Sequence, residues 1–139
     1  MYLQTENYTM RKVFLGGTCN GSLWRDELIK DLKIDYFQPV GDHWTPDMME
    51  EEKKQREICD YCLYVLTPKM TGYYSVAELI EDSIKQPGKT IFCYLPVDEE
   101  KSFSPVQIRS MEQVAEMVKR NGALYFNSLN EVAEFLNNH

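Results

Sequence analysis

The residue in this sequence that is best suited to take part in a chemical reaction is Glu78, in the stretch Ser75-Val76-Ala77-Glu78. An apolar run over residues 61–66 and a turn-rich loop precede this stretch, and a second apolar run follows at residues 90–95. This order predicts a β-α-β unit with Glu78 in the first turn of its helix, close to the sheet edge where parallel sheets bind ligands. The helix dipole favours a carboxylate there as the anion, and such a carboxylate can act as a nucleophile toward a sugar carbon.

A structural interpretation of the same four residues competes with the chemical one. Ser75 and Glu78 have the spacing of a capping box, in which the glutamate does no more than accept a hydrogen bond from a free backbone N–H group. The pattern alone favours the capping box over catalysis. Both interpretations predict that Ser75 caps or closely precedes the helix.

A second candidate region is the glycine-rich loop after the first apolar run, which reads Gly16-Gly17-Thr18-Cys19-Asn20-Gly21. Gly16 and Gly21 have the spacing of a phosphate-binding P-loop, but Ser22 stands where that motif requires lysine. Thr18 occupies the position of the second glycine in the dinucleotide-binding fingerprint. The loop therefore predicts neither an ATPase nor a nicotinamide site. A tight strand-to-helix turn and a glycine-lined pocket wall both remain open.

Two other patterns carry weaker signals. Cys59 and Cys62 have redox-pair spacing but precede a strand, whereas a thioredoxin-type pair needs a helix N-terminus, so free thiols and no metal site are expected. Trp44, Tyr73 and Tyr74 lie on two loops at the same predicted sheet edge. Loop aromatics there suit a flat heterocyclic ligand, and packing between the loops is an equally ordinary explanation.

Strand-like and helix-like segments alternate along the whole chain and supply the frame for these residues. Apolar runs at residues 12–15, 35–38, 61–66, 90–95 and 123–126 predict five strands, each followed by a helix. We therefore expect an α/β three-layer sandwich with a five-stranded parallel sheet in the order 2-1-3-4-5 and helices on both faces. Residues 1–10 are expected to form a flexible leader, and residues 11–139 a single domain.

Composition excludes several classes of function. The chain has 139 residues and a formal net charge of -7, and such an acidic surface argues against a nucleic acid polymer as partner. Neither a bilayer-spanning apolar run nor a signal peptide is visible, so we expect a cytoplasmic protein without membrane association. Arg25 and Arg56 could bind a phosphate or could be ordinary charges on helix surfaces.

Several motifs together carry a family resemblance. They are FLGGT after the first strand, PVGDHWT before the second helix, EKKQREICD within that helix, and GYYSVAE around Glu78. In order and spacing they resemble the nucleoside 2-deoxyribosyltransferase-like proteins over about residues 13–95. The resemblance implies a flavodoxin-like fold and no cofactor. It also implies chemistry at the N-glycosidic bond of a 2'-deoxynucleoside or deoxynucleotide, by base transfer or by hydrolysis.

The resemblance also assigns roles residue by residue. Glu78 would be the nucleophile, and Glu52 falls where relatives often place an aspartate that handles protons at the base. The other implied residues would bind the small-molecule nucleoside or nucleotide: Gly16, Gly17, Thr18, Asp42, Trp44, Tyr73, Tyr74 and Ser75. The resemblance also implies a dimer or larger assembly, so a homo-oligomer is expected.

Two departures from the family pattern keep alternatives open. Gly72 stands six positions before Glu78, where transferases often carry an acidic residue and hydrolases a serine, and Glu52 replaces an aspartate. These departures motivate a second hypothesis, a non-catalytic nucleotide-binding module with the same fold. A third hypothesis, an NAD-cleaving enzyme, also needs one glutamate in a crevice and would be recognised by release of nicotinamide.

Overall fold

A computed structural model describes residues 10–19, 21–39 and 45–139 of the chain. The expected leader at residues 1–10 lies almost wholly outside the described residues, as do Asp42 and Trp44. The elements follow in this order: β1 (Lys12–Gly17), α1 (Trp24–Ile29), β2 (Asp35–Phe37), α2 (Pro46–Ile58), β3 (Tyr61–Leu66), α3 (Tyr74–Lys85), β4 (Thr90–Tyr94), β5 (Val97–Asp98), β6 (Lys101–Ser102), α4 (Pro105–Arg120), β7 (Leu124–Tyr125) and α5 (Leu129–Asn138).

The main sheet has five parallel strands in the order β2-β1-β3-β4-β7. Counted along the sheet-forming strands alone, this is the predicted 2-1-3-4-5 order, and the α/β sandwich is confirmed. The central strands β1, β3 and β4 are almost fully buried, as expected of parallel strands with helices on both faces. Their carboxyl ends therefore open at one edge, beneath the loops that carry the candidate residues.

Two hydrophobic cores, one on each face of the sheet, hold the helices in place. On one face, Val13 and Leu15 of β1 pack with Trp24 and Leu28 of α1 and with the apolar side of α5. On the other face, Phe14 joins a core that includes Tyr64 and Phe92 together with residues of α3 and α4. Successive side chains of a strand point to opposite faces, so each strand contributes to both cores.

A short antiparallel hairpin, β5 with β6, was not predicted from the sequence. Each of its strands has only two residues, which is too short to show an alternation of apolar and polar residues. The turn residue with a positive φ, 55°, is Glu99 and not the glycine that usually marks a hairpin turn. Ser22 donates a hydrogen bond of 2.5 Å to Asp98, and Lys69 forms an ion pair with Glu99. The hairpin is thereby joined to the loops that follow β1 and β3.

No helix in the described part of the chain is long and apolar enough to cross a membrane. All four cysteines are free thiols, as predicted, and Cys59 and Cys62 are buried.

Candidate functional site

The start of α3 differs from the predicted capping box. Helix α3 begins at Tyr74, and Tyr73 occupies the N-cap position without a side-chain hydrogen bond to the helix. Ser75 therefore lies inside the helix, and Glu78 is the fifth helical residue instead of the third. A capping box needs its acidic residue at the third position. The capping interpretation of Glu78 is therefore wrong, and so is the prediction that Glu78 lies in the first turn, where the helix dipole would favour its anion.

Glu78 instead lines a pocket of about 230 Å³ between α2 and α3. Its side chain is 15 % exposed. The pocket is lined by Met49, Glu52, Lys53, Arg56, Tyr74 and Glu78. The two carboxylates singled out from the sequence, Glu78 and Glu52, thus lie on the walls of one small cavity, contributed by two different helices.

Arg56 of α2 connects this pocket to the interior of the protein. Its Nη1 lies 3.4 Å from Oε2 of Glu78, and its Nη2 lies 2.9 Å from Oε1 of Glu81. The guanidinium also makes two hydrogen bonds to Asp82, from Nε at 3.2 Å and from Nη2 at 2.8 Å. Asp82 in turn accepts a hydrogen bond of 2.5 Å from the hydroxyl of Tyr64, a fully buried residue of β3. A continuous polar network therefore runs from the sheet to Glu78.

The surroundings of Glu78 alter its proton affinity. Burial raises the pKa of the Glu78 carboxyl to about 7; the Arg56 cation opposes this rise, and the nearby Glu52 and Asp82 carboxylates add to it. Burial and the Asp82 carboxylate likewise raise the pKa of the Tyr64 hydroxyl well above its usual range. Glu78 is therefore mostly in the ionised form, which a nucleophilic carboxylate requires, only above about pH 7.

A second, smaller cavity lies at the carboxyl end of β1 and has a volume of about 130 Å³. Four predicted binding residues line it, namely Gly17, Thr18, Tyr74 and Ser75, together with Cys19 and residues 70–72. Tyr74 lines both this cavity and the Glu78 pocket. Six of the ten predicted site residues therefore line one or both of two cavities that have Tyr74 in common.

The glycine loop owes its shape to backbone contacts. Gly17 has a φ of +118°, and a Cβ at this position would lie 2.0 Å from the carbonyl oxygen of Val65, so only glycine fits. The hydroxyl of Thr18 accepts a hydrogen bond of 2.9 Å from the N–H of Thr67, which ties the loop after β1 to the loop after β3. These contacts at Gly17 and Thr18 agree with a turn at the end of β1, and both residues also line the second cavity, as the pocket-wall interpretation expects.

Arg25 supports the glycine loop from inside the protein. The side chain is buried and donates hydrogen bonds to the carbonyl oxygens of Leu15 at 3.0 Å and Thr18 at 2.7 Å. Burial lowers the pKa of its guanidinium. Neither Arg25 nor Arg56 is an ordinary surface charge, because Arg25 binds backbone carbonyls and Arg56 binds carboxylates.

The remaining predicted residues occupy different surroundings. Gly16 lies within β1, where a Cβ would meet the Tyr64 ring at 2.8 Å. Tyr73 is 77 % exposed at the start of α3. Asp42 and Trp44 fall outside the described residues. Within the described ranges, no group of three or more histidine, cysteine, aspartate and glutamate residues is arranged to hold a metal ion.

Sequence reasoning missed the network behind Glu78. Glu78, Glu81 and Asp82 have the i, i+3, i+4 spacing that places carboxylates on one helix face, and such a cluster at a packed surface needs a cation from another element. Tyr64 in the middle of a buried strand equally needs a hydrogen-bond partner for its hydroxyl. Both features are visible in the sequence, but neither of them identifies Arg56 as the cation that the carboxylates bind.

Comparison with protein families agrees with this architecture. A family model described as nucleoside 2-deoxyribosyltransferase like matches residues 10–97, more than half of the chain. The chain belongs to this family. The matched segment of this nucleoside 2-deoxyribosyltransferase-like protein contains every predicted site residue and all the residues that line the two cavities. Helices α4 and α5 lie beyond the matched segment. Comparisons with curated proteins and with solved structures gave no significant match.

Proposed function

We propose that this protein cleaves or transfers the N-glycosidic bond of a 2'-deoxynucleoside or deoxynucleotide, with Glu78 as the nucleophile. The family match supports nucleoside-directed chemistry in general terms. The observation that carries the specific proposal is the position of Glu78, which is released from helix capping and lines a pocket together with a second carboxylate. A paired nucleophile and proton-handling carboxylate is the arrangement that glycosidic bond cleavage requires.

In the proposed reaction, an ionised oxygen of Glu78 attacks the anomeric carbon of the sugar, and the bond from that carbon to the base nitrogen breaks. The electron pair of the broken bond stays on the base nitrogen, which takes a proton from Glu52. A second base, or water, then attacks the same carbon and releases Glu78, and the proton of the attacking group passes to Glu52. The first acceptor gives transfer and the second gives hydrolysis.

The two cavities suggest how a substrate is accommodated. Ligand sites usually have volumes of about 300–1,000 Å³, and the cavities measure about 230 and 130 Å³. We propose that a nucleoside occupies both, with Tyr73, Tyr74 and Ser75 bordering the deoxyribose. Gly16, Gly17 and Thr18 would form the wall beside it, and the family resemblance adds Asp42 and Trp44 to the binding residues.

The proposal is tested by incubating the protein with each 2'-deoxynucleoside and each 5'-monophosphate, with and without a free base, and measuring base release by chromatography. Exchange that requires the added base identifies a transferase. Release without an added base identifies a hydrolase. Absence of both across the panel contradicts the catalytic proposal.

The alternative is a nucleotide-binding module that does not catalyse a reaction. Gly72 favours this alternative because it provides no side chain at the second cavity, where the family pattern has an acidic residue or serine. A binding module predicts that a nucleotide raises the melting temperature without being consumed, since a ligand that binds only the folded state stabilises it. A thermal-shift screen over the same panel separates the two proposals.

The family resemblance also supports a homo-oligomer, and the cytoplasmic location stays a prediction from the sequence. Sedimentation velocity tests the first part of this proposal: a single species at the mass of one 139-residue chain would contradict it.

A further inference from the structure

The arginine behind the pocket has an unusual set of partners. Arg56 contacts three carboxylates of α3, and its side chain is only 12 % exposed. The partners are unequal in burial, because Asp82 is 5 % exposed, Glu78 15 % and Glu81 48 %. Interactions of buried charges are screened less by solvent than those of exposed charges. Asp82 and Glu78 are therefore the partners that decide what Arg56 does.

The geometry of these contacts distinguishes the residues that fix Arg56 from the residue that Arg56 contacts with its remaining nitrogen. Two hydrogen bonds from Nε and Nη2 to the two oxygens of Asp82 fix the plane of the guanidinium, as a bidentate pair does. Tyr64 fixes Asp82 from the other side through the 2.5 Å hydrogen bond from its hydroxyl. With its other nitrogens engaged in this way, Nη1 faces Oε2 of Glu78 at 3.4 Å.

We propose that Arg56 is a positioning residue for Glu78, held in place by Asp82 and Tyr64, which fixes one carboxylate oxygen and leaves the other to react. The inference rests on the proposed function, because it explains how the presumed nucleophile is oriented. Arg56 itself has no role in bond making: it acts through Glu78.

The charges around Glu78 allow a direct test. Among the described residues, the groups that face it are Glu52, Lys53 and Arg56 from α2 and Glu81 and Asp82 from α3, with Tyr64 of β3 behind Asp82. The three carboxylates of this set raise the pKa of Glu78, and Arg56 lowers it. Loss of the Arg56 charge should therefore make Glu78 hold its proton to a higher pH.

The experiment is a ¹³C NMR titration of glutamate carboxyl carbons, in which the Glu78 signal is assigned by its absence from Glu78→Gln. For Arg56→Met we expect the Glu78 midpoint to rise by about one pH unit or more, the effect typical of losing a close opposite charge. The matched control is Lys85→Met, which removes an exposed cation that pairs with Glu81 on the same helix. Its effect on the Glu78 midpoint should stay below about 0.3 unit.

A folded Arg56→Met protein with an unchanged Glu78 midpoint would overturn the proposal. Because this variant leaves the buried Asp82 without its cation and can fail to fold, Arg56→Lys provides a second test. Lysine keeps the charge but cannot make the bidentate pair. We expect the Glu78 midpoint to stay within about half a unit and kcat to fall about tenfold with KM nearly unchanged.

Full kcat in Arg56→Lys would contradict the positioning role. If the unmodified protein releases no base from any substrate, the proposed function fails, but the NMR titration still decides whether Arg56 controls Glu78. The two failures are therefore distinguishable.

Discussion

Three helices of this protein begin near a serine that is followed three residues later by glutamate or glutamine, and the outcomes differ. At α4, Ser104 and Gln107 form a complete capping box, with hydrogen bonds of 3.1 and 2.8 Å between each side chain and the other residue's backbone N–H. At α5, Ser128 accepts a hydrogen bond of 3.2 Å from the N–H of Glu131. At α3, Ser75 caps nothing and Glu78 contacts Arg56.

The comparison shows that the same pattern, a serine followed three residues later by glutamate or glutamine, can cap a helix or can place the acidic side chain in a pocket. A capping residue satisfies a free backbone group and so stabilises the helix. Glu78 instead lies in a pocket where burial and other carboxylates oppose its negative charge. Placement of an acidic side chain there lowers stability at neutral pH, and such a cost is typical of functional sites.

The largest expected effect is on activity, and it tests whether the uncapped glutamate is the functional one. Glu78→Gln should lower base release or exchange by about a thousandfold or more, because the amide cannot replace the nucleophilic carboxylate. Glu131→Gln is the matched control, since it makes the same change at a capped helix and Glu131 lines neither the Glu78 pocket nor the cavity at the end of β1. Equal activity in Glu78→Gln and the unmodified protein would show that Glu78 is not the nucleophile.

The next effect is on stability and depends on pH. The pKa of Glu78 is about 7 in the folded protein and near 4.5 when unfolded, so the folded state binds its proton more tightly. The stability that this proton contributes is fully present below about pH 4.5 and is lost as pH rises through 7. Glutamine at position 78 does not ionise, so the Glu78→Gln protein keeps this stability at high pH. At pH 8 its free energy of unfolding should exceed that of the unmodified protein by about 2 kcal/mol.

Chemical denaturation at pH 4.5 and pH 8 measures this difference. The advantage of Glu78→Gln should be present at pH 8 and nearly absent at pH 4.5. An advantage that is the same at both pH values would mean that titration of Glu78 does not cause it.

The smallest expected effect compares the serines directly. Ser104→Ala should lower the free energy of unfolding by about 1 kcal/mol, the usual cost of losing an N-cap. Ser75→Ala should change it by only a few tenths of a kcal/mol, because Ser75 lies inside α3 and alanine is the better helix former. Urea denaturation of both variants checks the contrast, and equal losses would show that Ser75 stabilises α3 after all.

Much of the fold could be predicted because its signals are local. The buried apolar runs of β1, β3 and β4 and the helices between them predict a parallel sheet. Its strand order was the preferred choice for such a chain and is confirmed. The hairpin of β5 and β6 escaped prediction because its stability comes from contacts to Ser22 and Lys69, which are far away in the sequence.

The candidate site was predictable to a similar extent and for similar reasons. Glu78 and Glu52 were identified and lie in one pocket, yet the start of α3 was misplaced because the loop before it sets the backbone at Tyr73. Arg56 was noticed only as a charge. The contacts of Arg56 depend on how α2 packs against α3, and no short stretch of sequence predicts this packing.

The turn at the end of β1 has a consequence for how relatives of this protein would be compared. Because a side chain at Gly17 would collide with the backbone of β3 at Val65, selection must keep glycine there in any descendant that retains the turn. Descendants that lost the proposed reaction and descendants that kept it would carry the same residue. Glycine at this position therefore reports inheritance of the fold, whereas the residues at positions 52, 56 and 78, to which we assign roles in the proposed reaction, would differ between the two groups.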